Sequence, residues 1–261
     1  MVSQGSTRQS VEDIQDWDNI AETYMHQISG AEDRIYEQFK VVMWESLGNL
    51  NGQEVLDVGC GHGWFSQAMF EAGAHVIGID GSNNLLAHAR SNNPDIDFIQ
   101  HELASGLPPL DRSFDRIIAY MVLMDIPEIG PLVTAVREVL KPGGRFIFTI
   151  PHPCFFNYKA RYDKEAAQWI KGVHGYLTQE VWRIEGFGGH NHYHRSLTYY
   201  FDQLRMNQLV VTRFYEPTHI PGTRLEDEEF VAFCRNIPIF LLFETQRLSD
   251  ESNNRPPNHS E

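Results

Sequence analysis

The apolar positions along the chain change their period twice. From residue 11 to 28, Ile14, Trp17, Ala21 and Tyr24 recur at helical spacing, and Ile35, Phe39, Val42 and Met43 repeat the pattern between residues 31 and 47. From Glu54 onward, short apolar runs alternate with helical stretches. Strands are predicted at 54–58, 75–79, 96–100, 116–120 and 145–150, with helices at 64–72, 83–89 and 129–140. This rhythm predicts a parallel sheet with helices on both faces. It stops after Pro151. Residues 152–196 are crowded with aromatic side chains and His and show no clean period. The pattern resumes with helices near 197–207 and 226–234, and strands near 209–214 and 238–243.

No internal repeat or linker of domain-separating length interrupts residues 11–248, so a single domain is expected, with 11–50 as an N-terminal helical segment and 152–196 as an insertion. The Ser- and Gln-rich residues 1–10 and the polar residues 249–261 are expected to be disordered. Composition narrows the function. An apolar fraction of 42% is enough for a real core, and a formal net charge of −14 opposes nucleic acid or an anionic membrane surface as the main partner. The cysteines, Cys60, Cys154 and Cys234, form no CxxC pair, so neither a zinc ribbon nor a disulfide framework is expected. With no hydrophobic leader segment at the start, a reducing, cytoplasmic compartment is the expectation.

The strongest chemical signal is VLDVGCGHGW, from Val55 to Trp64: a buried strand that runs into a glycine turn and opens a helix. Glycines there let the backbone approach a ligand closely. A second strand, His75 to Ile79, ends in Asp80, whose carboxylate can accept hydrogen bonds from both hydroxyls of a ribose. A dinucleotide fingerprint would read GxGxxG. Here the spacing is GxGxG, and Trp64 stands where the third glycine would be. Asp57, just before the turn, would repel a pyrophosphate but suits the cationic end of a nucleoside sulfonium.

Taken together, VLDVGCGHG, VIGIDGS, DFIQHELASGLP, SFDRIIAYMVLMDIP and VLKPGGRFIFTIP resemble the motifs of the class I S-adenosylmethionine-dependent methyltransferases, in particular those acting on small metabolites. The resemblance runs motif by motif over residues 15–151 and more loosely to the end. It implies a three-layer α/β/α sandwich around a mainly parallel seven-stranded sheet, in the order 3-2-1-4-5-7-6 with the last strand antiparallel, and the aromatic-rich insertion follows the fifth strand. It also implies roles for matching positions. Gly59, Cys60 and Gly61 would cradle the methionine part of S-adenosylmethionine, with Asp57 nearby. Asp80 would hold the ribose, Gly81 and Ser82 would flank the adenine, and Glu102 and Leu103 would read its edge. Glu102 stands where the family usually has Asp. Ala119 and Tyr120 would pass near the methionine amino group, and Trp17, Asp18, Ala21 and Tyr24 look like the family's cofactor lid.

On the acceptor side, residues at the carboxyl ends of the fourth and fifth strands should face the transferred methyl. They include Tyr120, Met124 and Asp125 after the fourth strand, and His152 and Cys154 after the fifth. His152 is a candidate general base, since an imidazole suits proton transfer near neutrality. In the run Gly189-His190-Asn191-His192-Tyr193-His194-Arg195, an extended backbone would put the three histidines on one face. No fourth ligand can be placed there, so a metal is not expected. His194 and Arg195 are the pair expected to point inward, and Tyr120, His152 and His194 form the candidate catalytic set. The insertion's Phe155, Phe156, Tyr158, Tyr162, Trp169, Tyr176, Trp182, Phe187 and Tyr193 can build a lid over an apolar or aromatic acceptor. The expected activity is methyl transfer to a hydroxyl or amine, or a carbon, of a small metabolite. The alternatives are a methyltransferase acting on tRNA or protein, a module that binds the sulfonium without transferring the methyl, and, more distantly, an NAD-dependent oxidoreductase.

Overall fold

A computed structural model describes residues 4–27, 34–156, 159–219 and 224–248. Two helices lead, α1 (Gln4–Gln27) and α2 (Arg34–Leu47). The first begins at Gln4, so most of the stretch whose polar composition suggested disorder is helical. Residues 1–3 and the tail 249–261 lie outside the described residues.

The sheet is built around β1 (Glu54–Val58), which is flanked in parallel by β2 (His75–Asp80) and β4 (Phe114–Tyr120). Outward from these lie β3 (Asp97–Gln100), paired with β2, and β5 (Leu140–Pro151), paired with β4. Four short strands then form two separate hairpins, β6 (Ala160–Asp163) with β7 (Gln168–Lys171), and β8 (Glu180–Ile184) with β9 (His190–His194). The large sheet closes with β10 (Leu209–Tyr215) and β11 (Phe240–Arg247), the latter antiparallel to both β5 and β10. Its order, β10-β11-β5-β4-β1-β2-β3, is the expected 3-2-1-4-5-7-6 once the hairpin strands are set aside.

Strand alternation sorts the core into two layers. On β1, Leu56 and Val58 join Ile117, Phe146 and Phe148 on one face, while Val55 joins Ile118 and Ile147 on the other. The first layer is covered by α5 (Gly130–Val139) and α6 (Leu197–Met206), the second by α2, α3 (Trp64–Glu71) and α4 (Asn83–Asn92). A last helix, α7 (Glu228–Arg235), packs near β7. Burial on both faces explains why these strands read as continuous apolar runs rather than alternating ones.

Two boundaries differ from the sequence reading. β5 starts at Leu140, ahead of the expected Arg145, because Leu140 already pairs with Phe114 and the Lys-Pro-Gly-Gly segment is absorbed as an irregularity in the ladder. The insertion carries regular hairpins despite its missing period. Its strands are only four or five residues long, too short for an alternation to stand out.

Candidate functional site

At the carboxyl end of β1 the chain turns through Gly59, Gly61 and Gly63, with φ of 71°, 53° and 81°, before entering α3. Gly59 is required on two counts. Its φ is left-handed, and a Cβ there would stand 2.4 Å from Val122 Cγ2. The turn is fastened to β2: the Gly59 and Cys60 amides donate to Ile79 O at 2.7 and 3.1 Å. Asp80 completes the junction, one carboxylate oxygen accepting from the Gly61 amide and the other from the Ser82 amide, each at 2.8 Å. Burial pushes the Asp80 carboxyl pKa up, and these amides pull against that shift. Each oxygen keeps a further lone pair for a ligand hydroxyl.

Above this junction α1 forms the lid of a cleft that opens to solvent. Trp17 and Tyr24 face into it, their rings edge to face at 5.3 Å. Asp18 does not line the cleft and clamps the lid instead, accepting from Ser82 Oγ at 2.6 Å and the Asn84 amide at 3.0 Å. A carboxylate at the start of α4 suits the unpaired amides there. A second clamp holds the other side of α1. Asp13 accepts from Asn191 Nδ2 at 2.8 Å and from the Tyr193 hydroxyl at 2.5 Å, and Asp16 is paired with Arg183. The outward-facing residues of β9 therefore hold the lid.

The cleft brings together much of the expected cofactor set. Tyr24, Gly59 and Gly61 line it on one side, and Asp80, Gly81 and Ser82 form its floor. Leu103 and Tyr120 complete the far wall. Four expected contributors do not line it. Asp57 is buried beneath the turn, accepts from Ser66 Oγ of α3 at 2.6 Å, and has its carboxyl pKa pushed up to about 7, chiefly by burial. Strand alternation turns it toward α3 and away from the ligand side. Cys60 contributes backbone only; its thiol is buried, which pushes its pKa up. Ala119 is sealed within β4, and Glu102 leaves the wall to Leu103 and Ala104. The sequence reading missed Ser10, Asp13, Leu85, Ala104, Met121, Val122, Ile126 and Pro127 as lining residues. Only the helical period through Ile14 pointed toward the first two.

A smaller pocket adjoins, lined among others by Met124, His152, Phe156, His192, His194 and Tyr200. His152 lies here, as its position two residues beyond the fifth strand implied, but its ring is fully engaged. Nδ1 accepts the Cys154 amide at 3.1 Å, which places the ring hydrogen on Nε2, 2.8 Å from Glu216 Oε1. No ring lone pair is left to take a proton, so the base role expected of His152 does not fit the geometry. Burial lowers its pKa, against the pull of Glu216. His194 stacks on Trp182 at 4.6 Å, and its Nε2 meets Tyr176 O at 2.9 Å. Arg195 is buried and donates to Leu123 O at 3.0 Å and to Ile126 O, which fixes the turn that follows β4. That turn carries Asp125 to the edge of the cofactor cleft. There His192 Nε2 stands 3.1 Å from Asp125 Oδ1 and 3.1 Å from His190 Nε2. Of the expected aromatic lid, Phe156, Trp182 and Tyr193 line this pocket, whereas Tyr162 and Trp169 pack against each other at 5.6 Å on the outer hairpin. Tyr158 and the Phe187 side chain lie outside the described residues.

Comparison with known proteins agrees with the fold. Residues 56–148 match a family model described as a methyltransferase domain. A demethylmenaquinone methyltransferase of Renibacterium salmoninarum is 34% identical over 119 residues, covering 45% of this chain and 50% of that protein. A ubiquinone biosynthesis O-methyltransferase of Cronobacter sakazakii is 28% identical over 151 residues, covering 56% and 57%. The chain spans about half the length of the curated relatives it matches. Among solved structures, an S-adenosylmethionine-dependent methyltransferase from Mesorhizobium loti superposes with a TM-score of 0.69 at 25% identity, over 80% of this chain and 98% of that one.

Proposed function

From the premise that this chain carries a class I S-adenosylmethionine-dependent methyltransferase domain, we propose that it transfers the sulfonium methyl group to a hydroxyl or amine of a small, largely apolar acceptor. The observation that carries this reading is the junction of Gly59, Gly61 and Asp80 under the aromatic lid of α1. In this reading Asp80 accepts the ribose hydroxyls, Leu103 and Ala104 face the adenine, and the Gly59–Gly61 turn receives the methionine part. The acceptor enters from the adjoining pocket, past Met124 and Phe156, and meets the methyl near Tyr120. Transfer is an in-line displacement. The acceptor's electron pair forms the new bond to the methyl carbon, the S–C bond breaks, and its pair stays on sulfur as a neutral thioether. A hydroxyl acceptor enters as its oxyanion, its proton already given up to solvent, and an amine acceptor carries its extra hydrogen out on the product, which releases it to solvent. The walls exclude water and hold the atoms in line.

The test is calorimetric titration with S-adenosylmethionine and, separately, with NAD. Micromolar affinity for the first and none for the second is expected. Asp80→Asn keeps the side-chain shape but removes the charge, and should weaken S-adenosylmethionine by about 1.5–3 kcal/mol, the scale of a hydrogen bond to a charged group. Equal affinity in the variant would overturn the ribose assignment. No heat from a folded wild-type protein would overturn the whole reading.

A further inference from the structure

Three side chains at the boundary between the two cavities have no part in cofactor binding as described. Asp125 lines the cofactor cleft, His192 lines the adjoining pocket, and His190 packs beneath Trp17 of the lid at 4.6 Å. One ligand atom from each, a carboxylate oxygen and two imidazole nitrogens, lies within 4.8 Å of the other two. His192 Nε2 carries at most one hydrogen, yet it faces both His190 Nε2 and Asp125 Oδ1 at 3.1 Å. If that hydrogen points at Asp125, it does not serve the contact with His190 Nε2. If His190 donates to His192 instead, the His192 lone pair faces a carboxylate. Asp125 Oδ1 is buried and, despite the short approach, accepts no hydrogen bond from the described residues. Neutral imidazoles do not satisfy all three groups at once. A doubly charged cation does.

We propose that Asp125, His190 and His192 bind a divalent first-row transition-metal ion. Metal–nitrogen and metal–oxygen bonds of about 2.0–2.2 Å put neighbouring ligand atoms about 3.0–3.5 Å apart, so the two 3.1 Å separations match a coordination shell. Imidazole with carboxylate suits Zn²⁺, Fe²⁺, Co²⁺ and Ni²⁺ better than Mg²⁺ or Ca²⁺. The site is held from several sides. His192 packs on Phe156 at 5.8 Å, and Arg195 pins both ends of the turn that carries Asp125. Side chains fixed in this way are what a metal site requires. Three protein ligands leave neighbouring positions for the acceptor, which favours acceptors that carry two adjacent oxygens, such as a hydroxyl beside a carboxylate. That acceptor class rests on the methyl-transfer reading; the cation site itself does not.

The experiment strips the full-length protein with EDTA and titrates it with Co²⁺, followed by visible absorption, then with Zn²⁺ in competition. One equivalent of Co²⁺ should give d–d bands that Zn²⁺ abolishes, and Zn²⁺ should raise the Tm of the wild type. His192→Ala and the nearly isosteric Asp125→Asn should each lose at least roughly a hundredfold in affinity, beyond the ~10–100-fold cost of altering an outer-shell partner. His194→Ala, on the same strand face but outside the cluster, should keep the bands. Salicylate should perturb the Co²⁺ bands and phenol should not. A folded, stripped protein without stoichiometric Co²⁺ bands, or equal affinity in Asp125→Asn, overturns the site. Equal responses to salicylate and phenol overturn the acceptor class. S-adenosylmethionine titrated into the stripped protein separates the two readings. Binding there without cation binding leaves methyl transfer standing and removes the metal; the reverse removes methyl transfer and leaves the metal.

Discussion

His152 shows how much a single side chain's role depends on the direction of its ring. The sequence placed it just past β5, and there it lines the smaller pocket beside the cleft. Which groups its two nitrogens meet is fixed by a turn amide two residues away and by Glu216, which lies 64 positions further along the chain. His152→Ala should therefore act on stability more than on chemistry. Leaving the Cys154 amide without its partner and a carboxylate without its donor should cost about 1–3 kcal/mol in denaturant unfolding. Turnover, normalised to folded protein, should fall by well under the ~100-fold expected when a general base is removed. A hundredfold loss at unchanged stability would return the base role to His152. Asp57 teaches the same lesson. Its type and position were legible, but strand alternation turns it toward Ser66 and into the protein.

At the level of elements, α1 is joined to both halves of the site. Asp18 ties it to the start of α4, beside the larger cleft, and Asp13 ties it to β9, which lines the smaller pocket. The helical period through Ile14, Trp17, Ala21 and Tyr24 identified the helix and its inward face. It carried no information about Asn191 and Tyr193, which contact Asp13 across 178 and 180 positions of sequence. Asp13→Ala should loosen the lid. Backbone amides of α1 should exchange with deuterium faster, and the S-adenosylmethionine Kd should rise about tenfold, equivalent to about 1.4 kcal/mol. Unchanged exchange across α1 would show that the β9 contact does not hold the lid. The hairpins β6–β7 and β8–β9 were the elements least legible in the sequence. Such short strands are specified by what they pack against as much as by their own period.

For the whole molecule, a net charge of −14 was the sequence's argument against a nucleic-acid partner. It carries a prediction: tRNA should show no mobility shift with the protein at physiological salt, because there is too little positive charge to release condensed counterions. A salt-sensitive shift would contradict it. The sheet order and the lid role of α1 were implied by the family resemblance; the strand–helix alternation, the glycine turn, Asp80 and the amphipathic period of α1 were legible in the residues themselves. Each rests on a local rule: a buried strand followed by a turn only glycine can make, an acid at a strand end, an apolar stripe at helical period. The alternation of His190, His192 and His194 along an extended strand was legible for the same reason, and β9 turns all three inward. What only the tertiary structure decided is which side chains meet. Asp125 reaches His192 because Arg195 fixes the turn after β4, and Asp13 reaches Tyr193 because the insertion folds back over α1. Those contacts join segments far apart in the chain, and their geometry follows from how the layers pack rather than from the period of any one segment.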